Sequence, residues 1–258
     1  MDEEILTGGG VNHVVRVGET VRRPTGAWTP TVHALLNHLA AVGFTGAPNA
    51  HGVDDQGREV LDFVSGQVDA DPPFGDDGDA RLHAAGRLLR AFHDATAGFR
   101  PPADATWYFP SRDPAEVICH GDVAPYNAVF RNGLPVALID FDTAHPGPRI
   151  WDVAYAAYRF APLTVAPEEG AVPVAEQARR LRLFAGAYEL ADKDRGALVD
   201  IAIVRLEHLI AHMKAQAAAG NEAFAGHLAA GHDLHYQADA EHLARHSEEL
   251  IRTLKSPD

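Results

Sequence analysis

The 258-residue chain predicts an α+β protein on three observations. Its first half holds short runs of strand type, its last third places apolar residues at helical spacing, and the two do not alternate as βαβ units would. A hydrophobic content of 46% and an aromatic content of 8% suffice for a sizeable core, in one large domain or two unequal lobes.

The elements follow in order. After the glycine run Gly8-Gly9-Gly10, HVVRVGETVRRP alternates as two strands joined near Gly18-Glu19. Thr29-Pro30 reads as a helix start, and Val32, Leu35, Leu36, Leu39 and Val42 recur at helical spacing until Gly43. A further strand covers 58–64, and Ser65-Gly66 breaks it before a loop rich in Asp, Pro and Gly. The boundary between a small β-rich lobe (1–66) and a larger lobe (67–258) is placed there. Leu82, Ala85, Leu88, Leu89 and Phe92 then define one apolar helical face, and helices are predicted around 174–191, 194–218 and 239–254.

Charge and cysteine content narrow the function. With 22 Lys+Arg against 36 Asp+Glu the formal charge is −14, which argues against nucleic acid and mildly favours a cationic small molecule. Cys119 is the single cysteine, sits in an apolar run and reads as a buried thiol. The start MDEEILTGGG lacks the pattern of a signal peptide, and no apolar run would span a bilayer. These features predict a cytoplasmic protein without a membrane partner.

The chemistry concentrates in ICHGDVAPYNAVFRNGLPVALIDFD, residues 118–142. Asn132-Gly133 is the pair most favoured in a two-residue hairpin turn. Counting back from it sets Arg131 opposite Leu134, Phe130 opposite Pro135, Val129 opposite Val136, Ala128 opposite Ala137 and Asn127 opposite Leu138. Asn127 and Asp140 then become diagonal neighbours, about 7–8 Å apart, able to share a hard cation such as Mg²⁺. Asp122, in the same loop, carries no ligand duty and is the candidate base toward an attacking hydroxyl. The spacing H-x-D-x-x-x-x-N, followed by an Asp on the next strand, matches the layout of phosphoryl-transfer sites. His120 reads as a loop brace. Asp142 is either a second metal ligand or a surface acid.

On these motifs, and on ALIDFDTAHPGPRIWDVAYA, the chain resembles the aminoglycoside phosphotransferases and related small-molecule kinases, from roughly Gly8 to Tyr158. The resemblance implies a two-lobed, protein-kinase-like fold that transfers the γ-phosphate of ATP, with Mg²⁺, to a hydroxyl of a small, cationic, antibiotic-like acceptor. It implies Asp122 as catalytic base, Asn127 and Asp140 as Mg²⁺ ligands and Asp152 as a structural acid behind the loop. It further implies Arg22 as the phosphate-neutralising cation, with Arg23 the next candidate, Gly8, Gly9 and Gly10 over the phosphates, and Phe63 and Val64 at an adenine-reading hinge. One departure stands out: such a cation has a glutamate partner on the following helix, yet WTPTVHALLNHLAAVGF contains no acid and offers only His33 and His38. That departure sustains a non-catalytic alternative, a kinase-like immunity protein that sequesters a toxic compound. A two-metal hydrolase built on His120, Asp122, Asp140, Asp142 and His145 is a third reading.

Overall fold

A computed structural model describes residues 3–6, 14–68 and 78–256. Residues 1–70 with 87–152 form one compact unit, and residues 71–86 with 153–258 a second. This grouping divides the chain at different places from the lobe boundary expected between residues 66 and 67.

The first unit holds a five-stranded antiparallel sheet. Its strands are β1 (Glu4–Leu6), β2 (Val14–Val17), β3 (Thr20–Pro24), β4 (Ala50–Val53) and β5 (Arg58–Asp62), in the order β1-β2-β3-β5-β4. The β2–β3 turn falls at Gly18-Glu19, where Gly18 takes a φ of +62° that costs glycine little. Between β3 and β4 runs α1 (Thr29–Ala41), with Pro30 in the first turn, where a missing N–H removes no helical bond. Its apolar stripe, Val32, Leu35, Leu36 and Leu39, is buried, whereas Val42 lies past the helix end and is exposed.

α2 (Gly78–Thr96) buries Leu82, Ala85, Leu89 and Phe92. In the first unit, Phe92 packs against the rings of Phe44, His120 and Phe141, which sets the floor of the 118–142 segment. That segment is carried by two small antiparallel pairs. β6 (Val117–Cys119) pairs with β9 (His145–Gly147), and β7 (Ala128–Arg131) pairs with β8 (Leu134–Leu138). Cys119 is fully buried.

The second unit is helical. It contains most of α3 (Arg149–Phe160), then α4 (Val174–Tyr188), the short α5 (Asp192–Arg195), α6 (Leu198–Ala218), α7 (Glu222–Ala229) and α8 (His232–Leu254). Leu181, Phe184, Tyr188, Leu206, Leu243 and Leu250 form its core. Among the stretches beyond the predicted helices are α7, whose Asn221 N-cap accepts from the N–H groups of Ala223 and Phe224, and the first turns of α8. No described helix is long and apolar enough to cross a membrane.

Candidate active site

The loop after β6 is built around a buried carboxylate. Asp152 is 1% exposed and accepts the backbone N–H of His120 at 2.7 Å and of Gly121 at 2.9 Å, with His93 Nε2 3.1 Å away. Burial opposes its charge, but the contact with His93 and the ring and amide of His120 outweigh it and hold the carboxyl down at about 2. Burial likewise depresses His93, which is therefore neutral and donates from Nε2. Gly121 has φ +86°, and a Cβ there would stand 2.5 Å from the Thr143 carbonyl oxygen, so the loop requires glycine.

His120 is fully buried, and both its ring nitrogens are engaged. Nδ1 accepts from the Asp122 N–H at 3.3 Å and Nε2 donates to the Ile139 carbonyl at 3.0 Å. Its imidazole has no lone pair for a metal, and His145 Nδ1 lies 2.8 Å from the Thr143 carbonyl, so the hydrolase reading loses His120 as a ligand and finds Nδ1 of His145 facing backbone.

Asp122 is half-buried and held at both oxygens. Tyr126 donates its hydroxyl to Oδ1 at 2.8 Å, and Asn127 donates Nδ2 to Oδ2 at 2.8 Å and to the Asp122 carbonyl at 3.0 Å. Tyr126 was not singled out by the sequence. Its signal was the four-residue separation from Asp122 across a Pro125–Asn127 3₁₀ turn, which brings the two side chains to one side.

The hairpin register departs from the count made back from Asn132-Gly133. Arg131 faces Leu134 and Phe130 faces Pro135, but Val129 then faces Ala137 and Ala128 faces Leu138. A bulge absorbs Val136. Pro135 has no N–H to give the Phe130 carbonyl, which accepts instead from the Gln67 N–H at 2.9 Å. The shift moves β8 one residue along, so the Ile139 N–H donates to the Asn127 carbonyl at 2.9 Å and Asp140 follows directly. Asp140 adopts φ +64°, an uncommon conformation for a residue with a Cβ, and its side chain remains 39% exposed.

The two candidate arginines of β3 lie on different sides of the sheet. Arg22 is turned away from Asp140: its Nε lies 3.6 Å from Asp54 and it donates to Thr20 Oγ1. Arg23, the next residue and thus on the opposite face of β3, is the one that reaches the 140–142 segment. It is 6% exposed, with Nε 2.6 Å from Glu59, one terminal nitrogen 2.8 Å from Asp140 and the other paired with Asp142. Burial works against the Arg23 charge, but these three carboxylates raise its pKa regardless. One positive charge set against three carboxylates leaves an excess of negative charge. Burial first, then Asp140 and Glu59, lift the Asp142 carboxyl to about 6 despite Arg23.

That excess suits a divalent cation. With both amide hydrogens of Asn127 on Asp122, the amide oxygen is the atom left for a ligand, and Asp140 follows Ile139, whose N–H bonds the Asn127 carbonyl. An all-oxygen donor set is what Mg²⁺ takes. Of the remaining candidates, Phe63 follows β5, donates its N–H to the Glu19 carbonyl at 2.9 Å and carries Arg16 over its ring, and Val64 is the next residue, half-buried. Gly8, Gly9 and Gly10 lie outside the described residues.

The fold, a β-sheet region followed by a mainly helical remainder, is that of the protein-kinase-like phosphotransferases. The phosphotransferase enzyme family matches over residues 103–199, and the chain belongs to that family. It is 39% identical over 227 residues to the trifolitoxin immunity protein of Rhizobium leguminosarum bv. trifolii, covering 84% of this chain and 85% of that one. Among solved structures, it resembles a choline/ethanolamine kinase family protein from Mesorhizobium loti, with a TM-score of 0.64 and 17% identity over 99% of this chain and 92% of that one. It also resembles APH(2″)-IIa in a ternary complex with streptomycin and ATP, with a TM-score of 0.53 and 10% identity over 94% and 93% of the two chains. At these identities the likeness to solved structures is one of fold.

Proposed function

We propose that this protein is a cytoplasmic, ATP- and Mg²⁺-dependent O-phosphotransferase that acts on a hydroxyl of a small, cationic molecule. The observation that carries the reading is Asp122, fixed at both oxygens by Tyr126 and Asn127, in the loop whose Asn127 carbonyl accepts from the N–H of Ile139, the residue before Asp140. Family membership supports a kinase activity, and the related fold that holds both streptomycin and ATP supports the substrate pair.

In this reading Asp122 orients the acceptor hydroxyl and takes its proton as the new oxygen–phosphorus bond forms and the bond to the departing nucleoside diphosphate breaks. Asn127 and Asp140 would hold Mg²⁺, which neutralises charge on the phosphates. Arg23, not Arg22, presents its guanidinium toward that same charge, with a fork geometry suited to phosphate oxygens. Phe63 and Val64 are the proposed adenine-side residues. His120 and Asp152 brace the loop without touching substrate.

The immunity protein among the relatives favours a second reading, protection against a toxic compound by binding alone. One experiment separates the two. Purified protein is incubated with ATP, Mg²⁺ and a panel of hydroxylated antibiotics, metabolites and trifolitoxin, and each acceptor is weighed for the gain of one phosphoryl group. In parallel, wild type and Asp122→Asn are expressed in a trifolitoxin-sensitive strain. Phosphoryl gain that Asp122→Asn abolishes is the expected result. Protection retained by Asp122→Asn, with no mass gain on any acceptor, supports sequestration instead.

A further inference from the structure

Helix α1 carries no acid, yet Arg23 does not lack one. In the sheet, β3 pairs with β5 so that Arg23 stands directly opposite Glu59. The two Glu59 oxygens have separate partners: Oε1 lies 2.6 Å from Arg23 Nε, and Oε2 lies 2.9 Å from His33 Nε2 on α1. Glu59 is 2% exposed, so the contact is shielded from water and from screening by salt.

We propose that Glu59, braced by His33, is the positioning residue for Arg23, the strand-borne substitute for the missing helix acid, and that through Arg23 it sets the affinity for a nucleoside triphosphate with its metal. The inference rests on the phosphotransferase reading. The geometry supports it in two ways. A guanidinium whose Nε is paired with a buried carboxylate is restrained in its swing, so its two terminal nitrogens stay on the Asp140 and Asp142 side of the site. Without that contact, nothing on the strand side fixes the plane of the guanidinium toward the site. His33 extends the clamp to the helix, so that helix and strand hold one carboxylate from both sides. The strand pairing also explains why no acid is needed at the helical position: Glu59 already fills the space beside Arg23.

The test is titration of the full chain with Mg²⁺ and a non-hydrolysable ATP analogue by calorimetry, which needs no acceptor. Glu59→Gln is expected to weaken binding by about tenfold or more, as the loss of one charge of a buried ion pair does. His33→Ala is expected to weaken it by a smaller factor, and His33→Gln, which keeps a donor toward Oε2, to restore it. Arg22→Ala is the control and should bind like wild type. If Glu59→Gln does not fold, the His33 pair alone decides, because Ala and Gln at that position differ only in the brace. Affinity unchanged in Glu59→Gln, or in His33→Ala where only the histidine variants fold, overturns the inference and leaves the phosphotransferase reading intact, even where melting temperatures fall. No binding by the unaltered protein overturns that reading and the inference together.

Discussion

Each unit of the molecule pins an irregular segment with one buried aspartate, and the two differ in what the pinned segment does. In the first, Asp152 takes two backbone N–H groups of the loop at 120–121 and a histidine. In the second, fully buried Asp239 on α8 takes the Val165 N–H at 2.8 Å, the Thr164 hydroxyl at 3.1 Å and the Tyr158 hydroxyl at 2.6 Å, with His235 beside it. Both arrangements obey the same rule, that a buried charge persists only where donors surround it. Asp152 fixes a loop from which Asp122 and Asn127 project, whereas Asp239 fixes a connection between helices that bears no residue of the candidate site. One device therefore holds the candidate site in one unit and a connection between helices in the other.

The contrast breaks most readily at Asp152. Asp152→Ala would orphan two buried amides and His93, a loss of about 3–5 kcal/mol by analogy with other broken buried pairs. Urea unfolding should show it as a large drop in midpoint, and any folded remainder should lose turnover, since the loop would no longer hold Asp122. Acid titration of the wild type tests the same group. The depressed Asp152 carboxyl gives stability that is present above its unfolded value near 3.8 and is lost as pH falls toward about 2. Depressed His93 acts earlier in the same direction, because the unfolded chain takes up its proton below about 6.5 and the folded chain only at lower pH. Unfolding should therefore become easier in two acid windows, and a stability profile flat from pH 7 to pH 3 would contradict the assignment.

The two networks also differ in how far the sequence reveals them. The loop at 118–127 is legible because glycine, proline and the spacing of Asp122 and Asn127 are local, and Asn132-Gly133 marks its own turn. The register beyond it was misread by one residue because Pro135 removes a ladder donor, an effect that simple counting ignores. Strand alternation places Arg22 and Arg23 on opposite faces but does not say which face meets Asp140; that depends on the sheet. Glu59 becomes visible only once β3 is known to pair with β5. Asp239 lies 81 residues from Tyr158 and belongs to no motif, so nothing short of the packed helices joins them. α7 was missed because EAFAGHLA buries none of its residues and so shows no apolar stripe.

A second perturbation sharpens the comparison from the other unit. Asp239→Asn keeps one acceptor but places an NH₂ where an oxygen now receives hydrogen bonds from donors. A cost of about 1–3 kcal/mol is expected, read as a lower urea midpoint. Unlike Asp152→Ala, it should leave binding of the Mg²⁺–nucleotide analogue at wild-type strength in the folded protein. Equal loss of nucleotide binding from both changes would show that Asp239 is tied to the site after all, and the distinction between the two aspartates would fall.

The mildest test removes a single donor from Asp239. Burial first, then the nearby Asp239 charge, push the Tyr158 phenol well above its ordinary range, so it remains protonated and donates. Tyr158→Phe deletes that hydroxyl while the ring keeps its volume, and it leaves no polar orphan of its own. Asp239 retains the Val165 amide, the Thr164 hydroxyl and His235, whose Nε2 is 3.3 Å from the same oxygen that Tyr158 now serves. The carboxylate would thus be under-served rather than abandoned, and the loss should be about 1 kcal/mol, below that of Asp239→Asn. Paired urea curves for the two variants and their double mutant measure this directly. If Tyr158 acts only through Asp239, the double mutant should be no less stable than Asp239→Asn by more than about 0.5 kcal/mol. Full additivity would mean that the tyrosine stabilises the second unit by its own route and that the aspartate is not the centre of the network.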